Sequence, residues 1–157
     1  MPSTAKTSQA ANCADSICLG ELPSMVGYHL RRAHAAALRD LDQKLARMQL
    51  TTAMHGALEI LSHNPTVAQG VLAQGLGLTR SSMVPLVDKL VERGLVERVR
   101  LPEDRRAVMI KLTPEGRKLR TKLRRMVQEH EAQLHAALQG CDIDQFTQAL
   151  QRLITLA

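Results

Sequence analysis

Two short clusters in this chain bring cationic and hydroxyl side chains together at spacings that suit a polyanion. The first is Thr79-Arg80-Ser81-Ser82-Met83-Val84. Here Thr79 is a natural helix cap, and Val84, Val87, Leu90 and Val91 recur at helical spacing until Gly94 ends the run. Arg80, Ser81, Ser82 and Val84 then occupy the first turns of a helix, the part that reaches base edges when a helix enters a major groove. A guanidinium can serve guanine bidentately, and a hydroxyl can serve either a base or a phosphate. The second cluster is the Pro102–Arg106 turn, PEDRR, which carries Arg105 and Arg106 between two β-like runs. A hairpin tip can place an arginine in a narrow A·T-rich minor groove, where negative potential concentrates. Without a duplex, the same residues are a solvated helix start and an exposed ion pair worth ~0–1 kcal/mol.

Other reactive side chains are less organised. Cys13 and Cys18 lie five residues apart, outside a CxxC pattern and with weakly basic neighbours, which reads as two incidental thiols. No HExxH, CxxC pair or other zinc spacing occurs, so neither a metal nor a cofactor is expected. Nor is there a nucleophile elbow, a phosphate-cradling glycine loop or a pair of catalytic carboxylates, and the chain does not read as an enzyme. The run Arg117, Lys118, Arg120, Lys122, Arg124, Arg125 is prominent, but a long helix needs a solvated face.

The elements that must position the two clusters can be read from periodicity. Leu22–Met48 is expected as one amphipathic helix, with Leu22, Met25, Val26, Leu30, Ala33, Ala37, Leu41, Leu45 and Met48 as its stripe. Thr51 or Thr52 caps a second helix to about Ser62, broken by His63-Asn64-Pro65. Thr66-Val67-Ala68-Gln69 matches a capping box, followed by a short helix over 67–75. Gly77 turns the chain into the helix over 79–93, in which Pro85 removes the hydrogen bond to the Ser81 carbonyl. The period then changes. Leu95, Val96, Val99 and Leu101 mark one strand, and Ala107–Leu112 a second. Thr113-Pro114-Glu115 starts a helix to about Gln139, and Asp142 caps a terminal one to Leu156 striped by Phe146, Leu150, Leu153 and Ile154. Helix, strand, charged hairpin, strand, helix is the outline of a winged helix-turn-helix. The fold class is therefore mainly α, with an α+β winged lobe.

Composition agrees with that outline. Of 157 residues 45% are hydrophobic but only 1% aromatic, so the core must be built from Leu, Val, Ala and Met. The same scarcity removes the stacking platforms that single-strand and RNA binders need. A net charge of +6 favours a polyanionic partner. Three cysteines, an odd count, point to a reducing compartment. No apolar stretch has the length of a membrane span, and the N-terminal residues have no apolar signal region, so no membrane is expected and a cytoplasmic location is.

The run LVDKLVERGLVERV, followed by Asp104-Arg105-Arg106 and Leu112-Thr113-Pro114-Glu115-Gly116, resembles the wing signature of the MarR (multiple antibiotic resistance regulator) family. This resemblance extends from about Leu22 to the C-terminus. It implies a homodimeric regulator of transcription, most often a repressor, that binds double-stranded DNA and responds to a small-molecule effector. It also implies that Asp104 pairs with Arg106 and orients it for the minor groove. On that pattern residues 1–21 are a loosely ordered tail, 22–50 a dimerisation and effector helix, 51–112 the winged DNA-binding lobe, and 113–157 further dimerisation helices. His29, Arg32 and His55 would face an effector cleft. Arg32 would pair with a carboxylate and the imidazoles would bond a ring substituent, which suits an aromatic acid. His55 departs from the pattern, standing where relatives often carry an aromatic residue. Two alternatives remain at this point: a repressor of the same fold that senses oxidation through Cys13 or Cys18, and a winged helix used only for protein interaction.

Overall fold

A computed structural model describes residues 17–100 and 108–156. Cys13 therefore lies outside the described residues, as do Asp104, Arg105 and Arg106. The described chain falls into two compact units that part between Ala36 and Ala37.

The first unit contains a short 3-10 turn, Leu22–Ser24, and the start of helix α1, Val26–Ala46. The single helix expected over 22–48 is thus interrupted. Pro23 sits in the first turn, Met25 is extended at φ −93° and ψ 125°, and its N–H closes back on the Leu22 carbonyl. The anticipated stripe is also only half used. Leu22, Met25, Val26 and Leu30 are exposed, and the buried residues of α1 are Leu41 and Leu45, which belong to the second unit.

In the second unit α2 runs Thr52–Ser62 with Thr51 as its cap, the threonine hydroxyl accepting from the Met54 N–H at 3.1 Å. The capping box expected at Thr66 does not form. Val67 and Ala68 instead make a two-residue strand, β1, and α3 (Gln69–Gly75) starts from Ala68 without a side-chain cap. A distant partner takes those backbone groups: β1 pairs antiparallel with β3 (Val108–Leu112), Val67 opposite Ile110 and Ala68 opposite Met109. On its other edge β3 pairs with β2 (Val96–Arg100), from Val96 opposite Leu112 to Arg100 opposite Val108. The result is a three-stranded sheet in the order β1-β3-β2.

Helix α4, Arg80–Glu92, follows α3 and packs on both α3 and β2. Gly77 and Gly94 adopt the left-handed backbone, at φ 64° and 65°, that closes α3 and α4 respectively. Behind Gly94 the Leu95 N–H returns to the Leu90 carbonyl at 2.9 Å. The core is aliphatic, as the composition required. Leu58, Leu72, Met83, Val87, Leu90, Ile110, Leu112 and Leu123 are all buried in one cluster.

The LTPEG segment is a mechanical joint. Thr113 caps α5 (Pro114–Ala137) by accepting from the Gly116 N–H at 3.0 Å, and its hydroxyl donates to the Gly94 carbonyl at 2.7 Å. Its own N–H reaches the Leu95 carbonyl at 3.1 Å. The helix start is thereby pressed so close to the end of α4 that a Cβ on Gly116 would stand 2.1 Å from the Leu95 carbonyl oxygen. Only glycine fits there. Further along, Arg120 of α5 donates twice to the Glu59 carboxylate of α2, at 2.8 and 2.6 Å. The last helix, α6, spans Ile143–Ile154 with Asp142 accepting from the Gln145 N–H at 3.0 Å. None of its residues is buried, and Phe146, Leu153 and Ile154 are exposed.

Candidate nucleic-acid interface

The exposed face of α4 is set by what the helix buries. Met83, Val87 and Leu90 point into the core, so Arg80, Ser81, Ser82, Val84 and Pro85 are left on the outside. Val84, although part of the apolar periodicity read from sequence, lies off the buried face and is 46% exposed. Four of the sequence-derived residues, Arg80, Ser81, Ser82 and Val84, thus share the first turns of one helix. The hydroxyls of Ser81 and Ser82 each approach Thr79 Oγ1 at 2.9 Å, and the Ser82 N–H donates to the same oxygen at 3.2 Å. Thr79 therefore fixes two serine rotamers as well as capping the helix. The positive end of the helix dipole also lies at this hydroxyl cluster, an arrangement that suits an anion.

Beside these residues is a cleft of about 630 Å³ between α3, α4 and the start of β3. Arg80 and Val84, one turn apart, form one side. Gln69, Val71 and Gln74 of α3 form the other, and Val108 of β3 closes one end. The Arg80 guanidinium passes over Gly70, its Nε 3.9 Å from the place a Cβ would take. Sequence reading passed over Val71 and Val108. The available signal was that Val71 stands next to Leu72 and Ala73 but off their buried stripe, an apolar side chain that the core does not use.

One charged pair ties this helix to the sheet. Arg98 of β2 donates to Asp88 of α4 at 2.5 Å, joining strand to helix. Much of the basic run on α5 is likewise occupied. Arg120 holds Glu59, Arg125 bonds Glu129 at 2.8 Å, Lys118 lies 3.5 Å from Glu115, and Arg117 donates to the Leu112 carbonyl at 3.2 Å. The Arg120 guanidinium, followed by a hydrogen bond from His63, holds the Glu59 carboxyl down at about 2, against a partial opposing cost of burial.

The three residues expected to meet an effector have local partners. His29 Nε2 donates to the Pro23 carbonyl at 2.7 Å, and Arg32 donates to the Tyr28 hydroxyl at 3.1 Å with its guanidinium 5.5 Å from that ring's centre. Both belong to the first unit. His55 belongs to the second, on α2, where it is half-buried. Burial lowers its pKa, an effect that Glu59 opposes and Arg120 reinforces. A further histidine was not anticipated. His130 on α5 is buried, and neither ring nitrogen has a hydrogen-bond partner among the described residues.

A helix-turn-helix whose second helix leads into an antiparallel hairpin defines the winged-helix class. The sequence pattern of the MarR family matches residues 48–107. A Thauera aromatica protein ascribed to transcriptional regulation of the hcr operon is 30% identical over 135 residues, which is 85% of this chain and 81% of that protein. This chain belongs to the MarR family. Among solved structures it is similar to the transcriptional repressor CouR bound to a 23-mer DNA duplex. That likeness has 33% identity and a TM-score of 0.75, and covers 90% of this chain and 98% of that one. CouR bound to p-coumaroyl-CoA gives 31% identity and a TM-score of 0.79, over 88% and 98% of the two chains. A MarR family transcriptional regulator from Silicibacter pomeroyi gives 25% and 0.73, over 86% and 96%.

Proposed function

We propose that this chain is a homodimeric, cytoplasmic repressor, not an enzyme, that grips a palindromic operator and is released by a small aromatic effector. The observation that carries the reading is the exposed, hydroxyl-capped first turn of α4, with Arg80, Ser81, Ser82 and Val84 projecting beside the β2–β3 hairpin. Two such helices related by a two-fold axis read half-sites about 10 bp apart on one face of the duplex. Arg80 addresses guanine, while the serines bond bases or phosphates. Asp104, Arg105 and Arg106, at the hairpin tip by sequence, then serve the flanking minor groove, with Asp104 orienting Arg106. A repressor at 33% identity that binds a 23-mer duplex supports double-stranded DNA as the partner.

Dimerisation through residues 22–50 and 113–157 is supported by the apolar side chains that a single chain leaves uncovered: Phe146, Leu153 and Ile154 on α6, Val26 and Leu30 on α1, and Met25 just before it. The effector is an aromatic acid or its coenzyme A thioester. His29, Arg32 and His55 are its candidate contacts, and a relative bound to p-coumaroyl-CoA supports the class. Such a ligand releases DNA only by its differential affinity for the dimer whose recognition helices are wrongly spaced.

A gel shift on DNA upstream of the chain's own gene, repeated with benzoates, hydroxycinnamates and their coenzyme A thioesters, tests the reading. It expects a saturable shift that one of these compounds reverses. A shift that all of them leave in place rejects the effector class, and no shift on any duplex rejects the repressor.

A further inference from the structure

The cleft beside α4 has a chemistry that phosphate contacts do not explain. Its outward-facing side chains include three valines from three different elements: Val71 of α3, Val84 of α4 and Val108 of β3, which are 60%, 46% and 39% exposed. Folding leaves all three uncovered, although the neighbouring Leu72, Met83 and Ile110 are buried. Among the described residues no acidic side chain lines the cleft and the one charged residue is Arg80, while Gln69 and Gln74 supply amides. Its occupant must therefore offer apolar groups within an otherwise polar, electron-rich surface.

The major groove of duplex DNA does so at one place, the C5-methyl group of thymine, beside the acceptors of adenine and guanine. We infer that Val71, Val84 and Val108 form a thymine-methyl reader, so that the half-site carries a thymine next to the guanine taken by Arg80. The inference rests on the proposed DNA-binding role of α4 and adds the base that its apolar flank selects. Arg80 and Val84 are one helical turn apart on the same side of α4, so one bound strand presents neighbouring base edges to both. Burying a methyl group against a valine rewards thymine over cytosine and over uracil. It costs nothing in hydrogen bonds, because the glutamines remain free to serve the paired adenine.

Deoxyuridine separates this reading from every other contact, since it pairs as thymine does and lacks only the methyl group. Duplexes would be selected from a randomised 30-bp library with the full-length protein, and each conserved thymine replaced by deoxyuridine for titration by fluorescence anisotropy. Removing the reader's methyl is expected to weaken wild-type binding about four-fold per half-site. Val84→Ala should bind the thymine duplex more weakly but no longer distinguish it from the uracil duplex, and Val71→Ala should show a smaller loss of discrimination. Equal affinity of the wild type for thymine and uracil duplexes at every position overturns the reader while leaving DNA binding standing. Discrimination that persists unchanged in both variants overturns it too. Failure to enrich any duplex overturns the role of α4 on which the reader rests.

Discussion

Arg80 and Arg106 are asked to do different things, and their replacements should fail differently. Arg106→Ala is expected to weaken operator binding by roughly 1–3 kcal/mol with the fold intact, as read by gel-shift titration beside a circular dichroism melt. Unchanged affinity would count against the hairpin tip as a DNA contact. Arg80→Ala is expected to relax base preference more than it lowers affinity for unrelated duplexes, which titrations on point-mutated operators measure. His55 carries a prediction about pH. Burial lowers its folded pKa below 6.5, so the unfolded chain binds the proton more readily and stability is lost as pH falls from 6.5 toward the folded value. A His55→Gln variant should show a flatter melting-temperature profile between pH 7 and pH 5. The Glu59–Arg120 pair acts lower, between about 4.5 and about 2, where protonating Glu59 removes its preference for the guanidinium.

Most helix caps and stops were legible in the sequence because their cause is local. Thr51, Thr79, Thr113 and Asp142 stand as helix caps because each side chain bonds a backbone N–H three residues ahead, a relation that primary structure contains. Gly77 and Gly94 end their helices for an equally local reason, the left-handed backbone. Thr66 misled because its rival was not local. The backbone of Val67 and Ala68 pairs with Met109 and Ile110, some forty residues away, and no window around Thr66 contains that fact. The Arg120–Glu59 pair, 61 residues apart, was hidden inside a basic run for the same reason. So was buried His130, since a lone histidine on an amphipathic helix does not announce its burial. Gly116 belongs to this scale. Gly116→Ala must move α5 away from Leu95 and is expected to destabilise the lobe by ~1–3 kcal/mol, the usual range for overpacking a tight contact. A thermal melt equal to wild type would mean that the joint is looser than its geometry.

For the whole molecule, the unburied helix α6 bears most on function. Its twelve residues carry a pronounced apolar face and bury no side chain, a surface that suits a partner. A double variant, Phe146→Glu with Leu153→Glu, is expected to be monomeric by light scattering, to retain its helical spectrum and to lose operator binding. A variant that still dimerises would move the interface elsewhere. The oxidation-sensing alternative is tested at the same scale. Replacing Cys13 and Cys18 by Ser should leave effector release intact, and a protein that then ignores its effector would restore the thiol mechanism.

If α4 and the hairpin tip hold one duplex together, once per protomer, both grooves are covered, and chemical footprinting reads both at once. Dimethyl sulfate should show guanine N7 protected in two major grooves about 10 bp apart, and hydroxyl radicals should show the flanking minor grooves shielded. Protection of one major groove alone, or minor grooves as reactive as in free DNA, would contradict it.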